Sequence, residues 1–302
     1  MDLHPERWLI RCRRTGHKVT GDAPLPWHFE QLREYVSYEV MLPALAVMAQ
    51  FRGESKGARN PRMEAVTRCL ELRTGKTTWL PSRSAVGDLC WNAEGDVFRN
   101  KMRVFTSLYL LVPFEFCDDT IQLTPFGEQL ASGFLSSDDY YSAIISRYRY
   151  PHPAYPDNWL AWNEAGREVR PFVYLLQVLI QLHRADPAEA YLKAEEVVVV
   201  LMPLAAHAQI DEQVSRLLAY RQGATPDQAP NKNLQRNASD LLGFLCLSGY
   251  CYYDGSKVRL NLRARHRDEH VWFDGERNKQ DQLSRVEQLV LAAPAPNFES
   301  EV

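Results

Sequence analysis

One helix-and-hairpin pattern occurs twice in this chain, and that repetition limits what it can fold into. Residues 234–261, "LQRNASDLLGFLCLSGYCYYDGSKVRLN", read as a helix that stops at Gly249, followed by two short strands around Asp254-Gly255. A weaker copy lies 137 residues earlier, in "VFRNKMRVFTSLYLLVPFEFCDDTIQLT", residues 97–124. At that offset Arg99-Asn100 falls on Arg236-Asn237, Leu108 on Leu245, Leu110 on Leu247, Phe116 on Tyr253 and Leu123 on Leu260. A pattern used twice predicts two lobes of one plan.

The stretch before each copy supports that plan. Val40, Leu42, Leu45, Val47, Met48 and Phe51 give a broad apolar face over Tyr38–Phe51, a helix in which Pro43 would have to occupy the first turn. Pro61 opens a second helix through about Arg73, and a short one follows "PSRS", capped by Ser82 or Ser84. The third long helix, Val97 to Leu110, leads into a hairpin where Phe114, Phe116, Ile121 and Leu123 alternate around Asp118-Asp119. Three helices and a β-hairpin are the order of a winged helix, whose third helix enters a DNA major groove while the hairpin grips the backbone. In the second half "FVYLLQVLIQLH" supplies an apolar helix, and "DPAEAYLKAEEVVVVLM" the next element, with Asp186 as its cap and Pro187 at its first position. "DEQVSRLLAYRQ" forms an amphipathic helix ending at Gly223. The expected fold class is therefore mainly α with small β-hairpins (α+β), built as tandem winged-helix-like lobes. The expected order is a basic N-terminal arm (1–37), a first lobe (38–135), a connector (136–169), a second lobe (170–262) and a C-terminal tail (263–302).

A length of 302 residues suffices for two or three lobes with real cores. The net charge of −3 excludes a generic polycation, so attraction to nucleic acid has to come from local patches. No apolar run reaches the roughly 18 residues of a membrane span, the longest being "VVVVLMPLAA", and the charged N-terminus lacks a signal-peptide core. Six cysteines (12, 69, 90, 117, 246 and 251) show no framework spacing, which fits reduced thiols in a cytoplasmic protein.

The candidate DNA-binding residues follow from the repeated helices. Leu234, Ala238, Leu241, Leu242 and Leu245 mark a buried face, leaving Gln235, Arg236, Asn237, Ser239 and Asp240 to project sideways or outward. Arginine pairs bidentately with guanine, and asparagine and glutamine with adenine, so these side chains suit base edges. Arg99, Asn100, Lys101 and Arg103 hold comparable positions in the first copy. Lys257, Arg259, Arg263 and Arg265 (with Arg267), and the arm residues Arg7, Arg11, Arg13, Arg14, His17 and Lys18, are candidates for phosphate contact.

Signals for catalysis are poor. Glu54-Ser-Lys56 is half of a metal-dependent nuclease motif, without a strand carrying the preceding Asp. His266 and His270 lie four apart without a third ligand, and "RTGKTTW" lacks the first glycine and leading strand of a phosphate loop.

"DTIQLTPFGEQLASG…SRYRYPHP", with "RPFVYLLQVLIQL" and "YLKAEEVVVVL", resembles the DNA-recognition region of type IIS restriction endonucleases of the AlwI and FokI kind. In them a winged-helix-like lobe closes with a strand and T-x-x-G-x-x-L. A tyrosine-proline connector and a second lobe ending in helix plus wing follow. The resemblance spans roughly residues 38–262. It implies double-stranded DNA as partner; no cofactor is expected, because no complete metal-binding set is visible in the sequence. The nuclease domain that those enzymes append has no counterpart in the 40 or so residues after Asn261. The expected function is a non-catalytic DNA reader of a restriction or anti-phage system, with cleavage in trans by a partner nuclease or helicase. The alternatives are a minimal Mg²⁺-dependent nuclease built on Glu54 and Lys56, and a winged-helix scaffold for protein interactions.

Overall fold

The computed structural model describes residues 36–54, 61–75, 104–112, 117, 120–150, 152, 169–204, 210–226, 229–262, 264–265, 272–273 and 276–292. These residues are mostly helical, with small antiparallel strand pairs, as the α+β expectation requires. The chain divides into two compact units, with the boundary between Tyr141 and Ser142.

In the first unit α1 (Tyr38–Gln50) buries Val40, Met41, Ala44, Leu45, Val47 and Met48. Pro43 lies in its second turn rather than its first. A proline there has no N–H for the carbonyl four residues back, a defect the buried flank of α1 outweighs. α2 (Pro61–Thr74) packs against α1. Past α1 the chain turns at Gly53 and runs beside the returning hairpin strand: Gly53 N–H donates to Ile121 O (2.9 Å) and Ile121 N–H to Glu54 O (2.9 Å). Leu111 pairs antiparallel with Leu123. Phe105, Leu108, Leu110 and Ile121 are fully buried at this junction.

The T-x-x-G-x-x-L motif has a physical basis here. Thr124 caps α3 (Pro125–Ala131), its Oγ1 accepting from Gly127 N–H (3.0 Å) and donating to Tyr109 O (2.5 Å), while its own N–H donates to Leu110 O (3.1 Å). One residue thus satisfies a helix start and a helix end together. A Cβ at Gly127 would overlap the Leu110 carbonyl, so only glycine allows this approach. Leu130 fills the core three residues on. α4 (Ser137–Arg147) begins with a reciprocal box: Ser136 Oγ accepts from Asp139 N–H (3.1 Å) and Ser136 N–H donates to Asp139 Oδ2 (3.2 Å).

The second unit is built around α5 (Pro171–Ala185), which opens with proline at its first position and buries ten of its 15 residues. Burial on so many sides makes it the central helix, and each fully buried Leu, Ile or Phe contributes about 1.5–3 kcal/mol. Tyr148, Tyr150 and His152 of the "SRYRYPHP" segment belong to this core. Tyr148 stacks on His152 (5.2 Å between centroids) and tilts against Phe172 (5.2 Å), and Tyr150 pairs with Val169.

Asp186 does not cap the next helix. It ends α5, and its carboxylate accepts from Ala188 N–H (2.9 Å) in a turn. Leu192 then pairs antiparallel with Val258, and the helix begins only at Ala194. α6 (Ala194–Glu196) continues as a π-helix through Val197–Leu201, all five residues buried, and closes as a 3₁₀ turn over Met202–Leu204.

α7 (Ile210–Arg221) ends before Gly223, and α8 (Lys232–Leu247) leads into β1 (Cys251–Asp254) and β2 (Lys257–Leu260), in register Cys251↔Leu260 to Asp254↔Lys257. β3 (Ala264–Arg265) pairs with β4 (Trp272–Phe273). α9 (Glu276–Ala292) packs on α5 through an edge that includes Leu283, Val286 and Val290, so the stretch read as a tail includes an element of this unit.

Both units therefore share one sequence of pairings. A helix leads to a short extended segment, and that segment bonds to the returning strand of a later hairpin, at Ile121 in the first unit and at Val258 in the second.

Candidate nucleic-acid interface

α8 is held by its apolar stripe and open along the opposite one. Ala238, Leu241, Leu242, Phe244 and Leu245 are buried, with Phe244 against Phe172 of α5 (4.9 Å). Asn231 caps the start, its side chain accepting from Asn233 N–H (2.9 Å) and Leu234 N–H (3.2 Å). Lys232, Asn233 and Arg236 are exposed; Gln235 and Ser239 are half-buried. The first turn carries no acidic residue, unlike those of α4 and α7 with Asp138-Asp139 and Asp211-Glu212. The positive end of the helix dipole and two cations thus face solvent together.

Asn237 and Asp240 do not project outward; each is 5% exposed. Asn237 is four residues before Leu241 and eight before Leu245, and so falls on the apolar stripe. Asp240 is four residues before Phe244, on the flank turned to α5. Lys232 and Asn233, passed over in the sequence reading, take their place on the open stripe. An i, i+4 count from Arg236 back to Lys232 would have found the lysine.

The hairpin sorts the remaining candidates. Arg259 is committed internally: its Nε donates to Asp254 Oδ2 (2.9 Å) and its Nη1 to Ala188 O (3.1 Å). Lys257 Nζ stands 4.0 Å from the centre of the Tyr191 ring, and Arg221 packs 3.8 Å from the same ring. Arg221 is a half-buried anchor, donating from Nε and Nη2 to the two Glu196 oxygens (2.8 and 3.1 Å) and from Nη1 and Nη2 to the Glu189 and Tyr191 carbonyls (2.7 and 2.5 Å). Arg265 lies on β3, its backbone paired with Trp272.

Arg99, Asn100, Lys101, Arg103, Arg263, the N-terminal arm, Lys56, His266 and His270 lie outside the described residues. Glu54 is half-buried, its carbonyl bonded to Ile121. The described residues contain no group of three or more His, Cys, Asp or Glu that could hold a metal ion, and no helix long and apolar enough to cross a membrane. Cys69, Cys117, Cys246 and Cys251 are free thiols, and burial pushes that of Cys251 well above its ordinary value. A concavity of about 460 Å³ opens between α5, the start of α7 and α9. Its polar rim is internally matched, Arg184 to Glu287 (2.9 Å) and Gln181 to Asp211 (3.3 Å).

The sequence matches no protein-family model and no curated protein. The fold is similar to that of the BpuJ1 endonuclease binding domain, solved in complex with pyrene- and phenanthrene-modified DNA. The TM-score is 0.54 at 14% identity, over 86% of this chain and 84% of that one. At that identity the likeness shows a shared fold.

Proposed function

We propose that this chain binds double-stranded DNA as a reader of a restriction-type system, with α8 as a recognition helix and β1–β2 as its wing. The observation that carries the reading is the open stripe of α8: Lys232, Asn233 and Arg236 exposed on a capped helix start with no acidic residue in its first turn. Such a stripe offers charge for phosphates and bidentate donors for base edges. Order and pairing support a winged helix, since α5 is followed by a strand segment at Leu192 that bonds the returning wing strand at Val258. The first unit has the same pairing order, which supports two such lobes. The shared fold with a domain solved on DNA supports the same partner.

Cleavage would be supplied in trans by a nuclease or helicase subunit of an antiviral system in the cytoplasm. The test is a gel-shift series with duplex DNA of random sequence and of selected sequences across salt. The reading requires that the logarithm of affinity fall linearly with the logarithm of salt concentration. Absence of any duplex affinity at low salt overturns it.

A further inference from the structure

We propose that Lys193 and Lys257 form a two-lysine clamp on one phosphate group of the DNA backbone, seated beside the ring of Tyr191. This rests on the DNA-binding reading above and adds a contact site to it.

The argument starts from register. Leu192 and Val258 are an antiparallel pair, joined by N–H···O bonds of 2.9 and 2.8 Å in the two directions. Their side chains are buried, 0% and 1% exposed. Strand residues alternate faces, so the neighbours on either side turn to the other face. Antiparallel pairing then sets Lys193 opposite Lys257 and Tyr191 opposite Arg259. Directly opposed residues on one face hold their Cβ atoms about 4.5–5.5 Å apart, and like charges there are destabilising. The fold does not relieve this pair. Arg221 carries the charge of Glu196, and Arg259 that of Asp254. Glu195 accepts from the Tyr220 hydroxyl (3.1 Å). No ion pair engages Lys193 or Lys257 among the described residues.

Tyr191 explains how the two ammonium groups are held. Its ring is 7% exposed and lies 4.0 Å from Lys257 Nζ and 5.8 Å from Lys193 Nζ. It attracts both by its π-face, and Arg221 at 3.8 Å fixes it from within. Two cations on adjacent strands, held by one ring and ion-paired to none of the described carboxylates, suit a single tetrahedral anion; Glu189, beside the same ring, is paired with Arg221 (3.2 Å). A phosphodiester on the duplex that α8 reads is the anion of that chemistry nearest to hand. Tyr191 is a positioning residue, and the site carries no base selectivity.

The experiment uses the full chain, with Lys193→Gln and Lys257→Gln singly and together, titrated against random-sequence duplex at several salt concentrations. Each substitution should reduce the slope of log affinity against log salt by about one unit, with equal loss on every sequence. The melting temperature should change little in either variant, because each loses a contact with the Tyr191 ring and a like-charge repulsion together. Unchanged slopes in both variants, while Lys232→Ala still weakens binding, overturn the clamp and leave the DNA-binding reading standing. Loss confined to one sequence also overturns it, since phosphates are common to all. A wild-type chain with no duplex affinity overturns both.

Discussion

Tyr109 and Gly249 close their helices in the same left-handed conformation, with φ of 59° and 80°. Each N–H donates three residues back, Tyr109 to Thr106 O and Gly249 to Cys246 O, both at 3.1 Å. Glycine takes this conformation freely, and a tyrosine does so only where its surroundings insist. Here the Tyr109 carbonyl is held by Thr124 and its ring is buried, 5% exposed. Gly249→Ala should therefore cost roughly 1–2 kcal/mol through backbone strain alone, since open space surrounds the added Cβ. Tyr109→Gly relieves the same strain yet should be destabilising, because it empties a buried site. Denaturant midpoints of the two variants check both signs.

Gly127→Ala drives a methyl group into the Leu110 carbonyl, a backbone atom that cannot swing away. Overpacking of this kind costs about 1–3 kcal/mol. Thr124→Val keeps the shape but removes the cap and the tie to Tyr109, costing about 1–2 kcal/mol. The two changes meet at one junction, so the double variant should fall short of or exceed their sum rather than match it. Urea unfolding of the set measures the coupling.

Glu196 and Arg221 are 4% and 10% exposed and share two hydrogen bonds. Arg221→Leu leaves the Glu196 charge buried without its partner and should cost about 3–5 kcal/mol; Glu196→Gln should cost less, because Arg221 keeps the Glu189 carboxylate at 3.2 Å. Arg221→Lys should recover little of this, because an ammonium cannot reach both Glu196 oxygens and two carbonyls at once. Melting of the three variants decides it; a lysine variant as stable as the parent would show that charge alone matters there.

Alkali should unfold the protein in a definite window. Burial raises the Tyr141 hydroxyl from 10.0 to about 12, against the opposing effect of the hydrogen bond from Tyr38 N–H. The folded state thus keeps a proton that the unfolded state loses. Stability is fully present below pH 10 and falls as pH rises toward 12. Tyr140 and Tyr174 are raised by burial as well and steepen the fall. Tyr141→Phe should flatten the pH dependence while losing the Tyr38 hydrogen bond, at about 0.5–1.5 kcal/mol at neutral pH. Stability measured from pH 8 to 12 separates the two effects.

The helix ends and turn glycines were legible because their signals are local. Gly223 and Gly249 mark stops, Pro61 and Pro171 mark starts, and the hairpin around Gly255 follows from its strands. The 137-residue repeat was legible only in part. It is correct for the returning strands, Ile121 with Val258 and Leu123 with Leu260, but the helix ends Tyr109 and Gly249 are 140 apart. The difference sits in the hairpins, where Leu111 pairs twelve residues on and Cys251 only nine. Counted along the sequence from those helix ends, Arg99 is ten residues back and Arg236 thirteen; Arg99 lies outside the described residues. Leu192 was missed because one residue makes a strand pair only when its partner, 66 residues away, is in register. Asn237 and Asp240 were misplaced because polar residues on an apolar stripe look like surface until the stripe is traced.

That correction changes what the substitutions on α8 should do. Arg236 and Lys232 are exposed, and Asn237 is buried. If Arg236 reads a base edge, Arg236→Ala should cost about 1–3 kcal/mol on the preferred site and little on random DNA. Lys232, beside the helix start, suits a phosphate, and Lys232→Ala should weaken all sequences alike. Asn237→Ala belongs to a third class. It should lower the melting temperature by removing a buried polar group from its partners, with the sequence preference of the remaining folded protein unchanged. Selection of bound sites from a random pool, followed by titration and melting of the three variants, separates these outcomes. Altered base preference in Asn237→Ala at full stability would return that side chain to the reading surface. Equal loss on all sequences in Arg236→Ala would reduce α8 to a backbone contact.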